Sequence, residues 1–519
     1  MKILLATYWP LPHIGGVWTY LEILRDGLER RGYEVDIFAQ HPDLTKYYLI
    51  KDGQEVEKAP LLAAAEAQTA GQYKDRDIVL SPWMLWRESE KRAFELACRQ
   101  LRLDRYDVIH SQDIISTFAL ARAKPSGVPL VATIHGCLAT EWVANKEIRV
   151  RSRLERHHLA LEEYYGAMTP DCLILPSRWL SRCLSTFQVA HPNTYIVPYG
   201  LSQHDFHPLP KEDAQERSPE REGHRFIIAC PARLVAIKGQ THLLQAMKRL
   251  IERRKDAVCW LIGDGVMRGE LERQIRQMRL GDHVKLLGKR TDVPNLLSCA
   301  DVVALPSLQD NLPFSVIEAQ SLGKPVVASS VGGIVEMIEE GVTGYLVEPG
   351  NAEALYEKLL LLADDCALRE RLSRTAREHS KQRWNDAVMI DRTVRAYMDA
   401  AGGKRAPKAA EPFIDKMECG YRDMLLETKE ALVVPTMTLQ GTIKDASSGY
   451  AVSDARVHLL DASGVVLRSM HCGANGEFAL PGVQPGAYEL GCFSEAYGFK
   501  TRAVRISSAG RANIEILLQ

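Results

Sequence analysis

Two carboxylates lie eight residues apart in the segment SLQDNLPFSVIEAQ, which runs from residue 307 to residue 320. They are Asp310 and Glu318, and the segment lies between two apolar runs that are typical of buried strands. Two cations, Arg233 and Lys238, follow another apolar strand and precede a helical pattern. Such a cationic pair beside a helix start suits a diphosphate, and a solvated charge pair explains it equally well in isolation. The region therefore contains either a capped structural turn with surface charges or a ligand site.

Glycines and a histidine occupy further strand ends. Gly15 and Gly16 lie in the strand-to-helix loop PLPHIGGVWTYL, where backbone N–H groups can approach a phosphate. A tight turn that needs a positive φ explains the same pair. His135 ends the strand PLVATIHG, where a hydrogen-bonded core histidine is the ordinary explanation. Because the carboxyl ends of parallel strands line one crevice, the shared position of these residues predicts a single ligand site.

Short, almost unbroken apolar strands alternate with helical patterns along the first 400 residues. This alternation predicts parallel sheets covered on both faces, in two Rossmann-like, doubly wound α/β domains. We assign 1–206 to the first domain, 207–225 to a polar linker and 226–383 to the second, and we expect an amphipathic helix at 384–400 to pack back on the first. The predicted strands are 2–9, 34–40, 107–112, 129–136, 171–177, 194–200, 226–234, 258–265, 283–290, 301–307 and 325–333.

The C-terminal part of the chain has a different pattern. Residues 401–437 are predicted to be a linker, in which 413–434 could form one helix. From 438 to 519, short strands recur between turn signals such as SSGY, ANGE and QPGA. This spacing is typical of an all-β sandwich, so the sequence predicts a third, all-β domain.

Composition excludes several classes of protein. Lys and Arg total 65 against 66 Asp and Glu, a net charge of −1, so we expect no nucleic-acid partner. No run reaches the roughly 18 apolar residues of a membrane span, and no signal-peptide pattern follows the first residue. Eleven cysteines without a C-x-x-C pair predict free thiols and a cytoplasmic location. Cys137, Cys230 and Cys299 are expected to be buried small hydrophobes.

The ordered motifs of residues 1–400 resemble the retaining glycosyltransferases of family 4, which have the two-domain GT-B fold. The motifs are GGV, TIHG, LPSRWL, PARLVAIKG, LIGDG, HVKLLGKR, DNLPFSVIEAQSLGKPVVASSVGGIVEMI and GVTGYLVEPGN. The resemblance implies a retaining hexosyltransferase of polysaccharide or glycolipid biosynthesis. Its nucleotide-sugar donor would bind the second domain, and its saccharide or lipid-linked acceptor would bind the first.

The resemblance also implies roles for single residues. Arg233 and Lys238 would hold the diphosphate and stabilise the leaving group, and His135 would contact a hydroxyl of the transferred sugar. Glu318, the second carboxylate of the family's E-x7-E motif, would bind the ribose, and Asp310 would face the donor sugar. The implied catalytic set is His135, Arg233, Lys238 and Asp310. The implied donor-binding set is Gly15, Gly16, Arg233, Lys238, Asp310, Asn311, Leu312, Pro313, Phe314, Ser315 and Glu318.

The chain departs from this family at two positions. Asp310 stands where the family's motif has its first Glu, a change that we expect to retune the choice of sugar. Tyr199 stands in PYGL where many relatives have Asn. No Asp-x-Asp metal site is evident, so we expect transfer without a metal and without a cofactor. The stretch 41–105 has no clear motif, and we expect it to include loops on the acceptor side.

Two further segments carry predictions of their own. Residues 438–519 resemble the carboxypeptidase regulatory-like β-sandwich, a module for interaction, oligomerisation or positioning of a polymeric acceptor. The segment IRVRSRLERHH places four arginines between Arg149 and Arg156. It is either a solvated helix face or a patch for anionic lipid, which would place the protein peripherally at the inner membrane face.

Two other functional classes remain open. One is a non-hydrolysing UDP-sugar 2-epimerase of GT-B type, which would need additional acid–base carboxylates in the first domain. The other is a weakly active scaffold whose β-sandwich recruits partners, against which the intact Gly16, Arg233, Lys238 and Glu318 count. A panel of nucleotide sugars distinguishes these classes from a transferase.

Overall fold

A computed structural model describes residues 1–13, 15–145, 147–202, 226–403, 413–417, 437–460, 466–483, 486–494, 496–506 and 512–518. The chain divides into two compact units. The first comprises residues 1–137 and 162–410, and the second comprises 138–161 together with 411–519. No helix among the described residues is long and apolar enough to cross a membrane.

The first unit begins with an eight-stranded sheet in the order β4-β3-β2-β1-β5-β6-β7-β8. Its strands pair in parallel except along β2-β3-β4, where the pairing is antiparallel. The strands are β1 Lys2–Pro10, β2 Glu34–Gln40, β3 Lys46–Leu49, β4 Glu55–Glu57, β5 Val108–Ser111, β6 Leu130–Thr133, β7 Cys172–Leu175 and β8 Thr194–Ile196. The helices of this region are α1 Gly16–Arg30, α2 Lys58–Lys74, α3 Pro82–Arg99, α4 Ile114–Ala123, α5 Leu138–Ala144 (part of the second unit), α6 Arg153–Met168 (shared by both units) and α7 Arg178–Ser185.

A second, fully parallel sheet in the same unit has the order β11-β10-β9-β12-β13-β14. Its strands are almost wholly buried, except for the half-buried edge strand β11, as expected when helices cover both faces. The strands are β9 Phe226–Pro231, β10 Ala257–Ile262, β11 Val284–Gly288, β12 Val302–Leu305, β13 Val326–Ser329 and β14 Gly344–Val347. The helices are α8 Gln240–Arg253, α9 Arg268–Gln277, α10 Val293–Cys299, α11 Phe314–Ser321, α12 Ala352–Asp364, α13 Cys366–Arg383 and α14 Asp386–Ala401.

The helix α14 returns from the second sheet to the first. Its Tyr397 is fully buried, and the hydroxyl lies 2.7 Å from Nδ1 of His110 in β5. Just before the helix, the buried Trp384 donates from its indole nitrogen to the side chain of Gln320 in α11, at 2.6 Å. Polar anchors therefore join α14 to both Rossmann-like domains.

The second unit contains two sheets around a hydrophobic core. The three-stranded sheet has the order β18-β15-β21 and the four-stranded sheet β17-β16-β19-β20. The four-stranded sheet of this unit also contacts the segment 138–161, where Val150 packs with Leu460 and Phe499. The strands are β15 Met437–Asp445, β16 Arg456–Leu460, β17 Val466–His471, β18 Glu477–Val483, β19 Gly486–Ser494, β20 Gly498–Ile506 and β21 Ala512–Leu518.

The predicted fold class is confirmed: two Rossmann-like α/β sheets are followed by a β-sandwich. Cys137, Cys230 and Cys299 are buried, as predicted. The stretch 41–105, which has no clear sequence motif, contains the hairpin β3–β4 and the helices α2 and α3. Strand β14 was not predicted from the sequence, and the predicted linker 207–225 and most of the predicted helix 413–434 lie outside the described residues.

Candidate functional site

The glycine loop after β1 faces the second sheet. Gly15 and Gly16 begin α1, and a Cβ at Gly16 would lie 3.5 Å from the ring of Phe314 at the start of α11. The pKa of His13, in the same loop, is lowered by burial and then by the charge of Arg233. The structure thus places the loop of Gly15 and Gly16 across one cleft from Arg233 and from the start of α11.

Arg233 and Lys238 lie in the turn between β9 and α8. Gly239 ends this turn with φ +66°, and a Cβ there would lie 2.0 Å from the carbonyl oxygen of Pro306. Glycine is required because a side chain would be strained and would displace the chain that follows β12. The guanidinium of Arg233 is exposed, and no described residue bonds to it. It is available to an anion.

Lys238 is paired with the first of the two carboxylates. Its Nζ lies 2.6 Å from Oδ2 of Asp310, and both side chains are mostly buried. Ser307 donates to the same oxygen at 3.2 Å. In this structure Lys238 and Asp310 therefore satisfy each other, whereas the sequence-based assignment gave one to a diphosphate and the other to a sugar.

Asn311 joins the two Rossmann-like domains. Its side-chain amide donates to the backbone carbonyl of His135 at 2.8 Å, and its oxygen accepts from the hydroxyl of Ser177 at 2.5 Å. Ser177 also accepts from the backbone N–H of Leu180 and so caps α7. The 310–318 segment is consequently fixed to the ends of two strands in the first sheet.

Both ring nitrogens of His135 have protein partners. Nδ1 lies 2.6 Å from the hydroxyl of Tyr199, and Nε2 lies 3.1 Å from Oε1 of Gln112. The ring also meets Tyr20 edge to face, with centroids 4.9 Å apart. Burial lowers the pKa of His135 to about 3, so the imidazole is neutral at physiological pH.

Glu318 contrasts with Asp310 because no described residue donates a hydrogen bond to its carboxylate. It lies one turn into α11, and burial raises its pKa to about 7. An unpaired carboxylate in a cleft carries a desolvation cost that hydroxyl donors of a ligand would offset. The first turn of α11 has no side-chain cap, which leaves the backbone N–H groups of Phe314 and Ser315 without a capping side chain, while the N–H of Val316 donates to the carbonyl of Pro313 at 3.1 Å.

The structure collects all twelve of the predicted site residues and adds others. The residues brought to one cleft are Gly15, Gly16, His135, Arg233, Lys238, Asp310, Asn311, Leu312, Pro313, Phe314, Ser315 and Glu318. Sequence reasoning missed His13 and Gln112. The departure at Tyr199 was the one signal that pointed to a residue in contact with His135.

The arginine segment belongs to the second unit and differs from a uniform surface patch. Arg151 is buried, donates to Glu147 at 3.0 Å and lies over the ring of Trp142, 4.8 Å from its centroid. Arg149 and Arg153 are exposed. The four arginines therefore do not act as one solvated set.

Comparison with known proteins agrees with this arrangement. Residues 14–203 match the family Glycosyltransferase Family 4, and residues 211–379 match Glycosyl transferases group 1. Residues 438–519 match the Carboxypeptidase regulatory-like domain.

Two curated relatives share 27% identity with the chain. One is the UDP-Gal:alpha-D-GlcNAc-diphosphoundecaprenol alpha-1,3-galactosyltransferase of Escherichia coli, matched over 59% of this chain and 78% of that protein. The other is the MMP alpha-(1->4)-mannosyltransferase of Mycolicibacterium hassiacum, matched over 77% of this chain and 98% of that protein.

Solved structures share the fold. Sucrose-phosphate synthase from Thermosynechococcus elongatus gives a TM-score of 0.61 at 21% identity, covering 77% of this chain and 98% of that one. The Anabaena protein HepE in complex with UDP gives 0.55 at 21% identity, covering 77% and 100%. The chain is a glycosyltransferase of the GT-B type, with a family 4 domain, a group 1 domain and a C-terminal carboxypeptidase regulatory-like domain.

Proposed function

We propose that the protein is a metal-independent, retaining hexosyltransferase that uses a nucleoside-diphosphate sugar. The observation that carries the proposal is the set of groups on the second-sheet side of the cleft. Among the residues that the structure describes, none pairs with the guanidinium of Arg233, the ion-pair partner of Lys238 is Asp310, and none donates to the carboxylate of Glu318, which lies one turn from a helix start without a side-chain cap. Cations suit a diphosphate, and a carboxylate suits the two hydroxyls of a ribose.

The chemistry follows from where charge develops. When the bond between the anomeric carbon and the phosphate oxygen breaks, negative charge accumulates on the diphosphate, where Arg233, Lys238 and the first N–H groups of α11 would stabilise it. The acceptor oxygen forms its bond on the same face, and its proton passes to the departing phosphate. The pairing of Asp310 with Lys238 disfavours a role as covalent nucleophile, which supports this same-face route.

The acceptor is proposed to be a saccharide or a lipid-linked saccharide bound by the first domain. The named relatives act on such classes: one uses a diphosphoundecaprenol-linked sugar and one is a mannosyltransferase. UDP-hexoses and GDP-mannose are therefore the first donors to offer.

The proposal is tested by incubating the protein with a panel of UDP- and GDP-sugars and lipid-linked or free saccharides. Release of nucleoside diphosphate, together with a product whose anomeric configuration matches the donor by NMR, is the expected result, unchanged after treatment with EDTA. An epimerised nucleotide sugar would identify a 2-epimerase. If no donor raises the melting temperature or is consumed, the enzyme proposal fails.

Nucleotide affinity is expected to depend on pH through Glu318. The folded-state pKa is raised from 4.5 to about 7, so the carboxylate is largely protonated below that pH and ionised above it. The ionised form accepts hydrogen bonds from both ribose hydroxyls, so UDP or GDP should bind more tightly as the pH rises from 6 to 8. The folding stability of the unliganded protein depends on pH in the opposite direction. The contribution of Glu318 to the free energy of unfolding is greatest at low pH and is lost as the pH rises through 7.

Isothermal titration of the wild type and of Glu318→Gln separates this effect from other groups. Titration of the diphosphate and of His13 is common to both proteins, so only the difference between their pH profiles reports on Glu318. Parallel profiles would contradict the assignment of Glu318 to the ribose.

We also propose that the exposed arginines of the segment Arg149–Arg156 contact anionic lipid at the inner face of a membrane. Cosedimentation with phosphatidylglycerol vesicles should weaken in Arg149→Glu and fall with added salt if the contact exists. Equal sedimentation of the wild type and the variant would identify a solvated helix face.

A further inference from the structure

Tyr199 makes contacts on both sides of the cleft. It lies just after β8 and is almost fully buried. Its hydroxyl lies 2.6 Å from Nδ1 of His135, while its ring stacks on that of Phe314, with centroids 5.0 Å apart and planes within 4°. The first contact is within the first Rossmann-like domain, and the second is with the first residue of α11. Tyr199 therefore physically connects His135 to the 310–318 segment.

The hydrogen-bond network determines which nitrogen of His135 carries the proton. The side-chain amide of Gln112 donates to the carbonyl oxygen of His110 at 3.3 Å, which turns its Oε1 toward His135. An amide oxygen only accepts, so Nε2 of the neutral imidazole must be the protonated nitrogen. Nδ1 then carries a lone pair, and the hydroxyl of Tyr199 is the donor of the 2.6 Å bond.

We propose that Tyr199 is a positioning residue that anchors the ring of His135 at Nδ1, in the Nε2–H tautomer that Gln112 selects, and links the position of that ring to the seated 310–318 segment. The inference rests on the proposed function, because the contact of His135 with the transferred sugar is what the family resemblance implies for such a transferase. The shorter bond anchors the ring at Nδ1. The longer bond, from Nε2–H to Gln112, is the one that a sugar hydroxyl can share or replace, so the imidazole presents a donor to the sugar.

The link to the 310–318 segment is reinforced from the backbone. Asn311 donates to the carbonyl oxygen of His135, and Phe314 supports the ring that donates to its Nδ1. Both contacts come from the segment that carries Glu318. A shift of this segment would therefore disturb the backbone and the ring of His135 together, so the histidine is held in place only when the segment is seated.

The surroundings determine how this device responds to pH. The titratable groups around His135 are Tyr20 from α1, His110 from β5 and Tyr199; Asp310, paired with Lys238, acts electrostatically on Tyr199. Burial lowers the pKa of His135 and raises that of Tyr199 well above its usual range, so both stay neutral near pH 7. The arrangement therefore depends little on pH near neutrality, and removal of the hydroxyl leaves Nδ1 without its hydrogen-bond donor.

The test is Tyr199→Phe, which removes the hydroxyl and keeps the stacked ring. We expect kcat to fall about 5- to 10-fold, which is the weight of one hydrogen bond, with a smaller change in KM for the donor. The ring ¹⁵N signal of Nδ1 in His135, identified by its loss in His135→Gln, should shift because the lone pair loses its hydrogen-bond donor. Tyr450→Phe, at an exposed position in the β-sandwich, is the matched control.

Phe314→Leu is the second variant, because it retains the hydroxyl and removes the stack. A shifted Nδ1 signal there supports the link to the 310–318 segment, and an unchanged signal overturns that link. If Tyr199→Phe keeps the wild-type Nδ1 signal and the wild-type kcat, the positioning role is wrong. The NMR measurement needs no turnover, so a wild type that transfers no sugar would refute the proposed function and leave the inference about Tyr199 open to its own test.

Discussion

Lys238→Ala is expected to lower kcat for sugar transfer by about 10²–10³-fold, the usual effect of removing one group that stabilises developing charge. Two causes act together. The diphosphate loses a cation, and Asp310 loses the partner that lies 2.6 Å from its carboxylate. The uncovered negative charge would then face the departing phosphates. Steady-state release of nucleoside diphosphate, with melting temperature measured alongside, checks the result.

The matched variants separate the two causes. Lys255→Ala removes an exposed lysine of the same domain and should leave kcat unchanged. In the Lys238→Ala background, Asp310→Asn should recover part of the lost donor affinity, because it removes the unpaired charge. If the double variant binds the donor no more tightly than Lys238→Ala alone, Asp310 does not repel the donor, and the contact between Asp310 and Lys238 has another role. Full activity in Lys238→Ala would refute the role of Lys238 itself.

The elements that carry the site could be predicted from the sequence, because the information is local. The strand before Arg233 and the strand before Asp310 are short apolar runs followed by polar residues, and in the structure they are β9 and β12. Parallel pairing brings their carboxyl ends to one edge. For that reason, residues distant in sequence, such as His135 and Asn311, could be assigned to one cleft from the sequence.

The partners of these residues could not be predicted, because they depend on side-chain directions and on contacts between domains. No spacing rule indicates that Lys238 would meet Asp310 rather than a ligand, or that Asn311 would reach the carbonyl of His135. The same holds for the segment 138–161, which groups with residues 411–519 although more than 200 residues separate them. Local propensity carries no signal for such pairings.

The two carboxylates of the opening motif differ more than their sequence context suggested. Asp310 is held by a cation and a hydroxyl, whereas Glu318 has no described donor and a raised pKa. A carboxylate that already has donors gains little free energy from a hydrogen bond with a neutral sugar hydroxyl, whereas a carboxylate without donors gains more. We therefore expect Glu318 to contribute more to nucleotide affinity, and the Lys238–Asp310 pair to contribute more to the chemical step.

Gly332→Ala is expected to destabilise the second Rossmann-like domain and to reduce donor binding further than the loss of stability explains. Gly332 has φ +55°, and a Cβ there would lie 1.6 Å from the carbonyl oxygen of Asp310. The same oxygen accepts from the backbone N–H of Gly333 at 3.3 Å. The left-handed backbone costs about 1–2 kcal/mol with a side chain, and the forced displacement adds about 1–3 kcal/mol.

Gly341→Ala is the control that isolates the clash from the backbone strain. Gly341 has φ +72° in the same domain, but a Cβ there meets no atom within 4 Å. The free energy of unfolding of Gly341→Ala should fall only by the backbone strain, about 1–2 kcal/mol, and its donor affinity should be unchanged. Thermal unfolding and calorimetric titration with UDP or GDP compare the two variants. Equal losses of stability and of donor affinity in both variants would mean that the 310–318 segment moves easily at Asp310. The segment would then not be a rigid support for His135, Asn311 and Lys238.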